Sequence, residues 1–418
     1  MQKILIKNVM LDQKKQDILI EGNMISEIGE EVANQEAKII DGKQKAALPA
    51  FYNMHTHTAM TLLRGYADDM ALMTWLQDKI WPYEQKMTEE DVYWGTKFGI
   101  MELIKAGTVL SNDMYWHWHG GARAAKEMDI RMINGMTVLD LHDESQLPRI
   151  QSKVTKTLEE SGKYGELVQF SIAPHAIYTV SEKTLKWSAD FARKHNLKLH
   201  IHVAETEKEV IDCKKEHGLT PFEYLEKIGF LGNNVIAAHC VWMSEHDFEI
   251  VKNHGVNVVH CPVSNMKLAS GIFKYADYKR NDIPVCVATD GCSSNNNLDL
   301  FEEMKFAAIL PKVSGNDPEI ATAKEIYKTT TINPANALGL KAGKLKKGYL
   351  ADIILVDLNN INLIPSHNLT SNLVYSAHSD CVNTTICNGK ILMQNRVVEC
   401  EEEIIEGFRK TLARLEKS

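Results

Sequence analysis

Eight short runs of apolar and β-branched residues recur through the middle of this chain, each followed by a longer stretch of helical periodicity. They end at His57, Asp113, Val138, His175, His202, His239, His260 and Asp290. Most of their spacings lie near the roughly 30 residues that a βα unit needs. Eight such units in succession call for a closed parallel barrel, a (β/α)8 TIM barrel of the α/β class. An open doubly wound sheet is the alternative, but no Gly-x-Gly-x-x-Gly follows the first run.

The two ends of the chain have a different texture. Ile4-Leu5-Ile6, Asp17-Ile18-Leu19-Ile20 and Met24–Ile28 alternate with turns such as Glu21-Gly22-Asn23, and similar runs return in Gly348–Leu358 and Thr385–Leu392. The 418 residues leave room for a small accessory unit beside a barrel of roughly 250 residues. We expect residues 1–49 and 343–418 to pair into a composite β-sandwich domain, and residues 50–342 to form the catalytic barrel.

The barrel runs end in chemistry-bearing side chains: His57, Asp113, His175, His202, His239 and Asp290, with His260 as a seventh. In a barrel those ends face one mouth, where such enzymes place their sites. His55 and His57 are two apart on a strand, so their side chains share a face. His200 and His202 repeat the spacing, and His202, nearer the edge, reaches the same ion. Asp290, before Gly291, places a carboxylate at the eighth tip. Three imidazoles and one carboxylate suit one divalent cation such as zinc, and iron, manganese or cobalt accept the same set. A water completing the shell would have its pKa lowered to roughly 7.

Glu205 lies three residues beyond His202, where a carboxyl group can carry protons as general acid and base. Its competing reading is a solvated residue opening a helix with Glu207 and Glu209. His239 with Asp290 could orient or deprotonate the nucleophile, and His175 is placed to hydrogen-bond a polar substrate. These residues read as a metal-dependent hydrolase of unspecified substrate.

Charge narrows the partners. A net charge of −8 argues against nucleic acid or an anionic membrane as ligand and favours a small molecule. Charged residues interrupt the apolar ones in Met1–Lys7, unlike a secretory signal, and no apolar run reaches the roughly 20 residues of a membrane span, so a cytoplasmic location is expected. The eight cysteines include no Cys-x-x-Cys pair and read as buried free thiols.

With these residues in view, the chain resembles the amidohydrolase superfamily over nearly its whole length. The likeness rests on Leu48–His57 and on Gly343–Asp357, where the chain re-enters its accessory unit. Within that superfamily it is most similar to the 5-methylthioadenosine/S-adenosylhomocysteine deaminases and their chlorohydrolase-like relatives, through His202–Thr206, Ala238-His239-Cys240, Ser264–Leu268 and Thr289–Asn296. The resemblance implies a mononuclear site, usually zinc, held by His55, His57, His202 and Asp290. It implies that Glu205, His239 and Asp290 are catalytic, with Glu205 shuttling protons and His239 assisting the water. It also implies that Glu84, His175, Glu205 and Asp290 bind substrate, with Trp75 and Ser294 lining the site.

The activity implied is hydrolysis of a non-peptide C–N bond of a cyclic amidine. An adenine nucleoside (5′-methylthioadenosine, S-adenosylhomocysteine, 5′-deoxyadenosine or adenosine) would become its inosine analogue and ammonia. The alternative is another amino- or chloro-substituted ring: guanine, a pterin, a cytosine or an s-triazine. Where S-adenosylhomocysteine-using members carry an arginine at the third strand end, this chain has Met136, which suits an apolar 5′ group, with Arg149 or Arg64 as alternative carboxylate partners. Tyr115–His119 reads as aromatic packing near the mouth, Glu401–Lys417 as a solvated helix, and a homo-oligomer as the default assembly.

Overall fold

The computed structural model describes residues 2–417. Strands β1 (Phe51–Thr56), β2 (Thr108–Tyr115), β3 (Arg131–Val138), β4 (Val168–Pro174), β5 (Leu199–Val203), β6 (Val235–His239), β7 (Asn257–His260) and β8 (Val285–Val287) form one parallel sheet in that order. No ladder joins β8 to β1; the Asp290 N–H, just beyond β8, donates to the His55 carbonyl at 3.1 Å and draws the seam together. Every residue of β1, β2, β5 and β6 is buried, and β6 is apolar up to its terminal His239. Several polar groups inside find partners there: Asn53 Nδ2 donates to Thr289 Oγ1 at 2.7 Å, and Asn112 Nδ2 to the Met54 carbonyl at 2.7 Å.

Two connections bear on the barrel mouth. Between β1 and α1 (Glu89–Lys105) the chain makes a 3₁₀ turn at Thr58–Leu63, then three short helical turns, Leu72–Trp75, Leu76–Ile80 and Trp81–Glu84, the middle one a π turn. Thr88 and Asp91 close a capping box at the start of α1. After β2, α2 (Trp118–Glu127) begins at His117, whose φ of 50° turns the chain sharply. Two further helices matter below: α3 (Glu207–His217) after β5, and α4 (Pro262–Lys267) after β7.

The two chain ends meet in one mixed sheet. Lys45–Pro49 pairs antiparallel with Ile353–Asp357 inside a nine-stranded mixed sheet. Ile4, Ile6, Ile18, Ile20, Ile353 and Ile386 share its core. The strands are hydrogen-bonded as one continuous sheet, because Lys3–Leu11 pairs with three neighbours. Arg131 at the base of β3 and Tyr52 of β1 tie this unit to the barrel, donating to buried Asp352 at 3.1 and 2.7 Å.

The terminal helix α5 (Glu401–Leu415) differs from the solvated helix expected of its charges. Ile404, Gly407 and Phe408 are buried, Phe408 stacks on Phe98 of α1 with centroids 4.0 Å apart, and Arg414 Nε donates to Asp91 at 2.9 Å. Its charges lie on one side of an amphipathic helix, a pattern that composition alone hides. Among the described residues, no helix is long and apolar enough to cross a membrane.

Candidate active site

β1 delivers His55 and, one residue past its end, His57. β5 delivers His202, β6 delivers His239, and Asp290 follows β8 with φ 62°. The ring centroids of His55 lie 4.9, 4.8 and 5.4 Å from those of His57, His202 and His239. The donor atoms of His55, His202 and His239, and those of His55, His57 and Asp290, each lie within 4.8 Å of one another. The structure therefore brings together all four residues expected to hold the ion, with His239 close beside them.

Hydrogen bonds orient these rings. The Nδ1–H of His57 donates to the Met114 carbonyl, and that of His202 to the His175 carbonyl at 2.7 Å. Each carbonyl holds the proton on Nδ1, so Nε2 presents its lone pair. His55 Nδ1 meets His200 Nε2 at 2.9 Å, while His55 Nε2 is buried without a hydrogen-bond partner. Asp290 Oδ1 faces Nε2 of His55 and His57 at 3.3 and 3.2 Å. Its Oδ2 accepts from Ser264 Oγ at 2.6 Å and Ser294 Oγ at 3.1 Å. Burial would raise the Asp290 carboxyl, but the close imidazoles of His55 and His57 hold it well below the usual range. An orphaned imidazole nitrogen, two imidazoles with fixed tautomers and an ionised carboxylate, converging in a buried site, fit a divalent cation.

Gly291 makes the convergence sterically feasible. A Cβ there would lie 2.7 Å from Met60 Sδ and 3.1 Å from His57 Cβ.

Beside this cluster, Glu205 Oε2 lies 3.7 Å from His239 Nε2, and Ser270 Oγ donates to Glu205 Oε1 at 3.4 Å. Burial, reinforced by the Asp290 charge, pushes the Glu205 carboxyl up to about 8, while burial pulls His239 down to about 4. Carboxylic acid and neutral imidazole thus stand side by side, one able to give a proton and the other to take one. His239 Nδ1 meets the Asn265 amide at 2.9 Å.

Most of the cluster opens onto one cavity, with His55 buried behind it. It is lined by His57, His202, Glu205, His239, Asp290 and Ser294 at the metal end, and by Trp75, Leu76, Ile80, Trp81 and Glu84 on the cap between β1 and α1. Glu84 Oε2 accepts from Trp116 Nε1 at 2.9 Å, whereas Glu84 Oε1 and Trp75 Nε1 are buried without partners. His175 lines the wall, its Nδ1 2.9 Å from Thr179 Oγ1. Glu84, His175, Glu205, Asp290, Trp75 and Ser294 therefore all reach the cavity.

Other expectations are corrected. Met136 does not line the cavity: it is buried in the apolar packing of the barrel, and Thr137, the next residue of β3, faces the cavity instead. Strand alternation put the two on opposite sides. Arg64 is taken up by Glu102 and the Asn296 carbonyl, and Arg149 is exposed; neither lines the cavity. His260 ends its strand, while Asp113 lies within β2, which runs on to Tyr115, and both serve packing. Asp113 accepts from the Thr58 N–H and hydroxyl, and His260 stacks on Phe273 with centroids 4.0 Å apart.

Trp116, Thr137 and Tyr178 line the cavity without having been singled out as site residues. Trp116 belongs to the Tyr115–His119 aromatic run, which hinted at the mouth. Nothing local marks Thr137 or Tyr178. Ser264 and Asn265 sit within the Ser264–Leu268 motif; their duty toward Asp290 and His239 appears only when α4 is folded against β8 and β6.

An amidohydrolase family model matches residues 46–392. A 5-methylthioadenosine/S-adenosylhomocysteine deaminase of Archaeoglobus fulgidus is 45% identical, covering 99% of both chains. A 5′-deoxyadenosine deaminase of Methanosphaera stadtmanae is also 45% identical, covering 94% of both. Among solved structures, an adenosine deaminase from Xanthomonas campestris with bound zinc superposes with a TM-score of 0.95 at 29% identity, covering 100% of this chain and 99% of the other.

Proposed function

This chain belongs to the amidohydrolase family, and we propose that it is a zinc-dependent deaminase that converts an adenine nucleoside to its inosine analogue and ammonia. The observation that carries this reading is the proximity of Glu205 and His239, 3.7 Å apart beside the His55, His57, His202 and Asp290 cluster. Hydrolysis of an amidine carbon needs a proton taken from water and protons given to the ring nitrogen and the departing amine. When bound, the ion would lower the pKa of a water and polarise it for attack.

The chain's own residues supply the rest. His239, held neutral, and Asp290 accept the proton of the water that attacks C6. Glu205 gives its proton to the adjacent ring nitrogen, so that negative charge does not accumulate on the purine. It then takes the proton of the newly added hydroxyl and passes it to the exocyclic nitrogen, which leaves as ammonia as the C6–N bond breaks and the C6 carbonyl forms. The bonding capacity of Glu84 Oε1, left open in the cavity wall, suits the ribose hydroxyls, and His175 offers a hydrogen bond to the base. The names of the relatives support an adenosine carrying a reduced or thioether 5′ carbon. We take the substrate to be a small molecule met in the cytoplasm.

The test is a panel of 5′-deoxyadenosine, 5′-methylthioadenosine, adenosine, guanine, cytosine, a pterin and an s-triazine, assayed for ammonia or chloride release by the zinc-loaded enzyme. Turnover confined to the adenine nucleosides is expected. Turnover of a free base or triazine alone would overturn the reading.

A further inference from the structure

Glu205 stands on a turn whose backbone is unusual. Ala204 has φ 52°, a left-handed conformation that a non-glycine residue adopts only when its surroundings impose it. The turn leaves the N–H groups of two successive residues, Ala204 and Glu205, pointing to one place inside the protein, where both residues are buried. Buried N–H groups need acceptors. Both are met by one side chain: Glu209 Oε1 accepts from Ala204 N–H at 2.8 Å, and Glu209 Oε2 from Glu205 N–H at 2.9 Å.

This is a departure from the chain's own habit. At the starts of α1 and of the helices Pro221–Lys227, Glu245–His254 and Ala323–Thr329, the acidic third residue reaches back to the N–H of the capping residue and closes a capping box. In α3 the capping residue is Thr206 and the acidic third residue is Glu209, but no capping box forms. The carboxylate spans the two N–H groups that precede the cap instead. The Ala204 carbonyl, on the other side, accepts from Val241 N–H at 3.0 Å and Trp242 N–H at 2.9 Å, just past His239. The turn bearing Glu205 is thus held on one side by Glu209 and on the other by the turn bearing His239.

We infer that Glu209 is a positioning residue: its carboxylate locks the backbone of Glu205, and so sets the aim of the Glu205 carboxyl toward His239 and the substrate. The assignment rests on the deaminase reading above for its catalytic consequence. Its structural half, the two-point clamp, does not.

The test compares the zinc-loaded enzyme with Glu209→Ala and Glu209→Gln, the isosteric second variant keeping the test open should alanine fail to fold. With 5′-deoxyadenosine, Glu209→Ala is expected to lower kcat about 10- to 100-fold, as for a small misplacement of a catalytic group, while KM and zinc content hold. Glu209→Gln is expected to lose less, because its amide oxygen still accepts one N–H. Independently of any substrate, hydrogen exchange measured by mass spectrometry should accelerate in the peptide containing Ala204 and Glu205. Wild-type kcat in Glu209→Ala, unchanged exchange at that peptide, or a loss of zinc or rise in KM matching the fall in kcat would overturn the assignment. Exchange that accelerates while the wild-type protein turns over no adenine nucleoside would leave the clamp standing and reject the deaminase reading instead.

Discussion

Asp290 meets His55 twice: its backbone N–H donates to the His55 carbonyl at 3.1 Å, and its Oδ1 lies 3.3 Å from His55 Nε2. The seam of the barrel and the cluster that fits a metal are therefore one construction. A change at either side chain is felt by the site, while the backbone bond keeps the seam.

Asp290→Ala should accordingly keep its fold but lower zinc affinity by more than about 100-fold, exceeding the loss usual for an outer partner of a metal ligand. Circular dichroism and metal analysis after dialysis check this. Full zinc content in the variant would remove Asp290 from the ligand set.

Chelation of zinc from the wild-type protein should lower its thermal midpoint reversibly. An ion present at 100 times its dissociation constant contributes about 2.7 kcal/mol to the folded state. Re-addition of zinc should restore both the midpoint and turnover; an unchanged midpoint would mean that the cluster binds no ion in the folded protein.

Glu205→Gln retains the shape of the side chain and its acceptance from Ser270 but has no proton to shuttle. Zinc content should be unchanged and kcat should fall by about 10²- to 10⁴-fold, the range of general acid–base contributions. Retained turnover would assign proton delivery elsewhere.

A nucleoside bearing an α-amino acid at its 5′ end brings a carboxylate and an ammonium into a cavity whose lining includes no Lys or Arg among the described residues. An unpaired buried polar group costs about 1–3 kcal/mol, so kcat/KM for S-adenosylhomocysteine should fall about 5- to 150-fold below that for 5′-methylthioadenosine. Equal values would require a cation to reach the 5′ end. Met136→Arg should not abolish the difference, because that side chain sits in the barrel packing.

Arg131→Ala leaves Asp352 buried at the junction between barrel and accessory sheet, retaining its bonds from Tyr52 and Asn388. Loss of one partner of such a pair costs about 3–5 kcal/mol. Denaturant unfolding should register that loss, with KM for substrate unaltered; a cost under about 1 kcal/mol, the worth of an exposed pair, would show that the junction is solvated.

Much of this molecule was legible in its residues, for a physical reason. Parallel strands buried on both faces are rich in apolar residues, so β6, apolar up to His239, announced itself, and the periodic return of mainly apolar runs implied the barrel. The barrel in turn implied that His55, His57, His202, His239 and Asp290 would meet at one mouth, since parallel strands share a polarity. The like texture of the two chain ends suggested that they pair, though no local rule links distant strands.

Tertiary structure decided the rest. Which of two adjacent β3 residues, Met136 or Thr137, faces the cavity depends on the phase of the strand against its neighbours, and a one-residue difference reverses it. That Asp113 supports a turn while Asp290 joins the cluster depends on which way each chain leaves its strand. Glu209 looked like one of three solvated acids opening a helix. Only the fold brings the left-handed turn at Ala204 against it, because two buried N–H groups create a need for a carboxylate that no local pattern of residues displays.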